Sequence, residues 1–373
     1  MRRAIVLGLF AVGCTNPAPP PMDATNGADS SITDGGASDA RDTDAAVDVR
    51  DGRAAPIVTC DDAGVCSGTA DPVSLGAGIE PVVAARSPRG PLGSHWFCRP
   101  RDPARWNGRL VVHVVGTWSD PANDHRFPEQ ACALGFVAIA PMYENRDPAR
   151  ETCLEDGPCY EAHRREIVDG VEGAPAPVDV DRPNSLRNRI ATLLARLAEA
   201  DGAPWPTVRD RIAGGDWRTT VVSGHSQGSG HALYLAREEV TERLVLLAGP
   251  SDRLGDRTPT SAPVPWIAAL RTTPPRTPAA RIFGYMHDDD SIQVVAQVLD
   301  NWDAIGLAAS SCAYARAAGY PNDCRRVRIA GDMCDGLLAH STVVVRRWGA
   351  SCMLGTGDNT NEATWRFLLT AGE

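Results

Sequence analysis

The sequence predicts an α/β domain built on a mostly parallel sheet with helices on both faces, and three observations carry that expectation. Short apolar, β-branched runs alternate with amphipathic segments from about residue 57 onward, which is the pattern of βαβ units. One of those runs leads through a Gly-x-Ser-x-Gly turn into a helical stretch. The 373 residues suffice for one large α/β domain, with 43% hydrophobic and 23% charged residues. That ordinary balance excludes a wholly disordered, collagenous or polytopic membrane chain.

Taken in order, the chain opens on a leader. Arg2 and Arg3 precede an apolar run over residues 4–12, too short to span a bilayer as a mature helix. The run ends in Ala11-Val12-Gly13-Cys14, which resembles the bacterial lipoprotein box, whose cysteine is lipidated and becomes the first mature residue. Leucine is usual where Ala11 stands, so plain secretion with cleavage nearby is the alternative. Residues 1–13 are therefore expected to be an export signal, with Cys14 as the lipidation site and the lipid as the only membrane contact. Residues 14–56 are expected to be a tether, Pro-rich at first, then rich in Asp, Ala, Gly and Ser. Residues 15–56 hold eight Asp against three Arg, a net −5 that is half of the chain's −10. With no aromatic residue, this segment cannot bury enough apolar surface to offset the entropy of ordering. Residues 57–373 form the expected domain.

Charge and cysteine usage narrow the class further. A chain at −10 with no lysine and no basic block is a poor nucleic-acid binder. Eleven cysteines without a CxxC pair speak against a zinc site and for an oxidising compartment. Reserving Cys14 for lipid leaves an even number. Many pairings are open to them; the short separations suggest Cys60–Cys66 and Cys153–Cys159, then Cys312–Cys324 and Cys334–Cys352, which leaves Cys98–Cys132.

The strands expected within the domain lie at residues 110–115 (LVVHVV), 136–140, 219–223, 244–248, 280–285 and 327–329, short buried runs of the parallel-sheet type. Antiparallel edge strands are expected between Cys60 and Pro100, one near His95. Ser185 precedes Leu186, Ile190, Leu193, Leu194 and Leu197, a one-faced helix with a serine N-cap. A small-residue helix follows from Gln227 to about Arg237.

The informative motif is Gly224-His225-Ser226-Gln227-Gly228. It stands at a strand–turn–helix junction, the context a nucleophile elbow needs. The residues two before and two after the serine must be small, and both are glycine. The helix dipole beyond favours developing negative charge. Here the sequence resembles the α/β-hydrolase superfamily, in particular secreted bacterial serine esterases and lipases, over residues 95–345. The resemblance implies an α/β-hydrolase fold with an eight-stranded sheet and a Ser…Asp/Glu…His order. It implies Ser226 as nucleophile and an acid in the loop His287-Asp288-Asp289-Asp290. Asp290 fits the family spacing best, Asp288 is the alternative, and the other aspartates are expected to cap the next helix. It implies His340 as base, on a loop that heads a final element at residues 342–345. Oxyanion donors are expected from Gln227 and from Thr117 or Trp118, after the first strand. No cofactor and no metal are required.

These roles imply an exported serine hydrolase, most simply a carboxylic ester hydrolase working through an acyl-enzyme on a small-molecule or polymeric ester. A peptidase or acyltransferase on the same fold is the alternative within enzymes. A surface-tethered binding protein with a vestigial elbow is the alternative outside them. The stretch between Asp252 and Pro278, with Trp266, is expected to supply lid or pocket walls.

Overall fold

The computed structural model describes residues 56–71, 93–122, 124–171, 178–255, 261–307, 311–313, 319–321, 323–330, 336–344 and 361–372. All of them belong to the unit Asp44–Glu373. The expected leader, Cys14, the tether up to residue 55 and the Cys334–Cys352 pair lie outside the described residues.

The strands are β1 (Ile57–Cys60), β2 (Val65–Ala70), β3 (His95–Pro100), β4 (Leu110–Val114), β5 (Val137–Ala140), β6 (Thr220–His225), β7 (Arg243–Leu247), β8 (Ile282–His287), β9 (Ser311–Ala313) and β10 (Arg326–Ile329). They form one sheet in the order β1-β2-β3-β5-β4-β6-β7-β8-β10-β9. The first three pair antiparallel with one another and β3 pairs antiparallel with β5; from β5 to β9 every pairing is parallel. The sheet therefore has ten strands among the described residues rather than eight. The short β9 pairs only with β10, and lies beyond the runs long enough to announce themselves by pattern.

The helices are α1 (Arg126–Ala133), α2 (Ala149–Cys153), α3 (Gly157–Asp169), α4 (Leu186–Ala200), α5 (Trp205–Ala213), α6 (Gln227–Glu238), α7 (Pro265–Ala269), α8 (Val295–Ala304), α9 (Gly336–Ser341) and α10 (Glu362–Thr370). Alternation along the buried strands sorts them into two layers. Val112, Val222, Leu244 and Ile282 face a core that takes in α3 to α8. Val111, Val221, Val245 and Phe283 face the opposite core, filled by Phe127 of α1 and by Trp365, Leu368 and Leu369 of α10. In-register pairs such as Val111↔Val221 and Val112↔Val222 keep each face continuous. In α4, Ser185 Oγ accepts the Asn188 N–H at 3.3 Å, and Leu186, Ile190, Leu193, Leu194 and Leu197 are fully buried.

The described cysteines pair as Cys60–Cys66, Cys98–Cys132, Cys153–Cys159 and Cys312–Cys324. Cys98–Cys132 ties β3 to α1 within the core. Of the proline-rich stretch expected to wall a pocket, residues 256–260 lie outside the described residues, and α7 packs against α3 and α8. Trp266 is buried there beside Tyr234 and the Arg237 guanidinium.

Candidate active site

The site is assembled at the carboxyl ends of β4, β6 and β8. β6 ends at His225, and the chain turns through Ser226 into α6. Ser226 has φ +54° and ψ −121°, a conformation that costs a non-glycine residue about 1–3 kcal/mol and is seen where a side chain must be presented. Its flanks explain how the turn closes. A Cβ at Gly224 would lie 2.2 Å from the Gly228 carbonyl oxygen, and one at Gly228 would lie 2.1 Å from that of Val114. The Ser226 N–H donates to Leu247 O at 2.9 Å, fixing the elbow to the end of β7. Its hydroxyl stands half-buried above the N-terminus of α6.

One strand beyond β7, β8 delivers the acidic run. Asp288 accepts from Arg328 Nε at 2.7 Å and is thereby turned away. Asp289 is exposed. Asp290 is buried, and its two oxygens are fully used. Oδ1 accepts the N–H groups of Ile292 (2.9 Å) and Gln293 (2.8 Å), and Oδ2 accepts from His340 Nδ1 (2.8 Å). Neither Asp288 nor Asp289 caps the next helix: α8 begins at Val295 with no side-chain cap bond. The Asp290 carboxylate has taken the nearby backbone donors first.

A carboxylate only accepts, so the bond to Asp290 places a proton on His340 Nδ1 and leaves Nε2 bare. His340 lies on α9 rather than on a loop. The β-branched residues after it form a buried turn rather than a strand: the Thr342 hydroxyl donates to Ala339 O (2.7 Å) and the Trp365 indole to Val343 O (2.9 Å). β-propensity loses here because Thr342, Val343 and Val344 are buried, packed with Trp365 of α10, and pair with no strand among the described residues. A parallel sheet, a serine on an elbow after β6, an acid after β8 and a histidine beyond β10 together define one architecture.

This is the α/β-hydrolase fold.

No family model matches the chain, and neither does any curated protein sequence. Among solved structures, it is similar to one described as a dienelactone hydrolase from Klebsiella pneumoniae subsp. pneumoniae MGH 78578, at 13% identity and TM-score 0.36, covering 82% of this chain and 97% of the other. It is also similar to an S-formylglutathione hydrolase from Agrobacterium tumefaciens, at 14% identity and TM-score 0.37, covering 67% and 86%.

The turn after β4, where the sequence predicts an oxyanion donor, lies beside the elbow. Gly116 lies against the elbow: a Cβ there would stand 3.2 Å from Ser226 Cβ. The Trp118 N–H donates to Asn145 O at 3.2 Å, which removes Trp118 from the candidate donors. Thr117 remains, and its hydroxyl donates to Gln227 Oε1 at 2.6 Å, joining the turn after β4 to the first residue of α6. As the first residue of α6, Gln227 has an N–H without an intrahelical acceptor. Asn145 steadies the turn by donating to Gly116 O (3.0 Å) and Ser119 O (2.9 Å). Trp118 has φ +59° and is 50% exposed, with its indole N–H on Arg146 O.

Sequence reasoning missed four contributors. His225 packs its ring 4.8 Å from that of His340 and donates Nε2–H to the His340 carbonyl (3.2 Å). Burial, then the His340 imidazole, lowers the His225 pKa to about 4, so it serves as a neutral donor. Arg164 of α3 forms a two-point ion pair with Asp252 (2.5 and 3.1 Å), both buried, and donates to Gln227 O (3.2 Å), bracing the first turn of α6. Gln293 donates Nε2–H to Ser226 Oγ at 3.3 Å. Only the run of polar residues after the acid and the histidine inside the elbow hinted at any of these.

Proposed function

We propose that this chain is a serine hydrolase of carboxylic esters, acting through Ser226, His340 and Asp290. The observation that carries the proposal is the buried bond from His340 Nδ1 to Asp290 Oδ2, whose carboxylate also anchors Gln293 on Ser226, a serine held at positive φ on the elbow. In this reading His340 Nε2 takes the proton of Ser226 as Oγ attacks the ester carbonyl. Asp290 holds the tautomer and stabilises the imidazolium, and the N–H groups of Gln227 and Thr117 receive the oxyanion. The leaving alcohol takes the proton back, and water resolves the acyl-enzyme. Among the hydrogen bonds between described residues, Ser226 Oγ is engaged by Gln293 and not by His340. Catalytic hydrogen bonds are often formed only with substrate in place.

Small or polymeric esters are the proposed substrates. Four disulfides support the further proposal of an exported protein, with residues 1–13 as its signal and Cys14 as its lipid anchor.

The test is Ser226→Ala assayed on p-nitrophenyl esters of graded chain length, beside fluorophosphonate labelling of the unaltered protein. Loss of nearly all turnover with an unchanged melting temperature supports the reading. Retained turnover removes Ser226 from the mechanism, and an unlabelled, inactive protein favours the binding-protein alternative.

A further inference from the structure

The acid loop makes two contacts at this site, one to His340 through Asp290 and one to Ser226 through Gln293. Gln293 is buried, and its backbone N–H is fixed on Asp290 Oδ1 at 2.8 Å. Its side chain then donates from Nε2 to Ser226 Oγ at 3.3 Å. The same carboxylate thus orients the candidate base and anchors a second group on the reacting oxygen. We propose that Gln293 is a further catalytic residue, one that speeds release of the acyl group from Ser226; this rests on the serine-esterase reading above.

The argument follows from what Oγ is at each stage. In the free enzyme Oγ is a hydroxyl oxygen, a good acceptor. In the acyl-enzyme it is the bridging oxygen of an ester, a poor acceptor, because its lone pair is delocalised into the carbonyl. A fixed donor therefore stabilises the free enzyme more than the acyl-enzyme. During deacylation water attacks the acyl carbonyl and gives a proton to His340 Nε2. The tetrahedral intermediate then expels Oγ: the carbon–Oγ bond breaks, its electron pair goes to Oγ, and His340 returns the proton to it. Negative charge grows on Oγ as that bond breaks, and the Gln293 N–H becomes a stronger partner at that moment. Gln293 itself transfers no proton. In acylation the bond is already made to the hydroxyl of the free enzyme, so the gain at the transition state is smaller there. A neutral hydrogen bond of ordinary strength corresponds to about 2- to 10-fold in the ratio of the two rate constants.

The experiment measures the two steps separately with p-nitrophenyl acetate on the full chain, Gln293→Met and Gln293→Glu. Acylation is followed as nitrophenolate released with enzyme in excess. Deacylation is followed as the decay of acetylated Ser226 peptide, by mass spectrometry after quenching. Met approximates the glutamine's length and cannot donate, and Glu does not donate while ionised, so each should lower the deacylation-to-acylation ratio about 2- to 10-fold when measured above the glutamate's pKa. The acetylated peptide should persist correspondingly longer. Should Met disturb folding, seen as a lowered melting temperature, the Glu variant gives the same reading. An unchanged or raised ratio overturns the proposal, including the case where both steps slow equally, which is what a merely structural glutamine would produce. If Ser226→Ala turns over the ester as fast as the unaltered protein, the esterase reading and this inference both fall. If Ser226 is acetylated and only the ratio is unmoved, this inference falls alone.

Discussion

Replacing Asp290 by asparagine should reduce kcat/KM on a short-chain aryl ester about 10⁴-fold while leaving the protein folded, and the hydrogen bonds around the carboxylate say why. Oδ1 accepts two backbone N–H groups, from Ile292 and Gln293, and Oδ2 accepts from His340. An asparagine here must place its one oxygen and its one NH2. Turning NH2 toward the two backbone donors would leave both without an acceptor, at about 1–3 kcal/mol each. That orientation is therefore disfavoured by roughly 2–6 kcal/mol, and the NH2 faces His340. His340 Nδ1 must then accept, so the proton moves to Nε2, the nitrogen needed bare to activate Ser226. In a serine protease the same substitution at the triad aspartate costs about 10⁴ in kcat. Because both backbone bonds survive, stability should change by no more than about 1 kcal/mol. The control is Asp288→Asn, which disturbs only the partly exposed pair with Arg328; its activity should stay within about twofold, as expected for a pair worth at most about 1 kcal/mol. The assay is steady-state hydrolysis of p-nitrophenyl butyrate with melting temperatures measured in parallel. The reasoning is refuted if Asp288→Asn is the more damaging change, or if Asp290→Asn keeps a tenth or more of the activity.

Other expectations follow from the same contacts. Gly228→Ala places a Cβ 2.1 Å from Val114 O and must push α6 off β4, so both activity and melting temperature should fall. At Gly202, where a Cβ meets nothing within 4 Å and φ is +72°, Ala should cost only about 1–2 kcal/mol of left-handed backbone strain, and activity should be kept. The 34-residue separation of Cys98–Cys132 against six for Cys60–Cys66 gives about 4 against about 2 kcal/mol on chain-entropy grounds. Removing both cysteines of the first pair should therefore lower the melting temperature clearly more, and equal losses would contradict this. Burial, the largest cause at each, lowers the pKa of His95 and His113 to about 3, and of His163 and His225 to about 4, from 6.5. Below about pH 6.5 the unfolded chain binds protons at these histidines and the folded chain does not. Stability is thus full above that pH and falls on acidification toward pH 4, by up to about 1.4 kcal/mol per pH unit for each group. Melting temperature measured from pH 7.5 to 4.5 should decline through that window; a flat profile would mean these imidazoles are not held neutral.

Much of the fold could be read from local pattern because the physics there is local. Continuous apolar runs such as residues 110–115 and 244–248 specify doubly buried strands, and the Leu186–Leu197 spacing with Ser185 specifies a capped helix. The paired glycines around Ser226 announce a close approach of two backbones, which the 2.1 and 2.2 Å clearances make concrete. Where several like residues competed, sequence order alone left the choice open. Asp288, Asp289 and Asp290 are chemically equal as letters. The choice is made by Arg328 arriving on β10 beside β8, which draws Asp288 away, and by α9 bringing His340 to Asp290. Trp118 and Thr117 were equivalent as donors until Asn145, from the loop after β5, took the Trp118 N–H. Residues 342–344 have β-branched character but fold into a turn, pairing with no strand among the described residues, and burial under Trp365 decides the matter. The contacts of Gln293 with Ser226 and of His225 with His340 join positions 67 and 115 residues apart. Local propensity carries no information over such distances, since they exist only once the sheet order has brought β6, β8 and α9 to one edge.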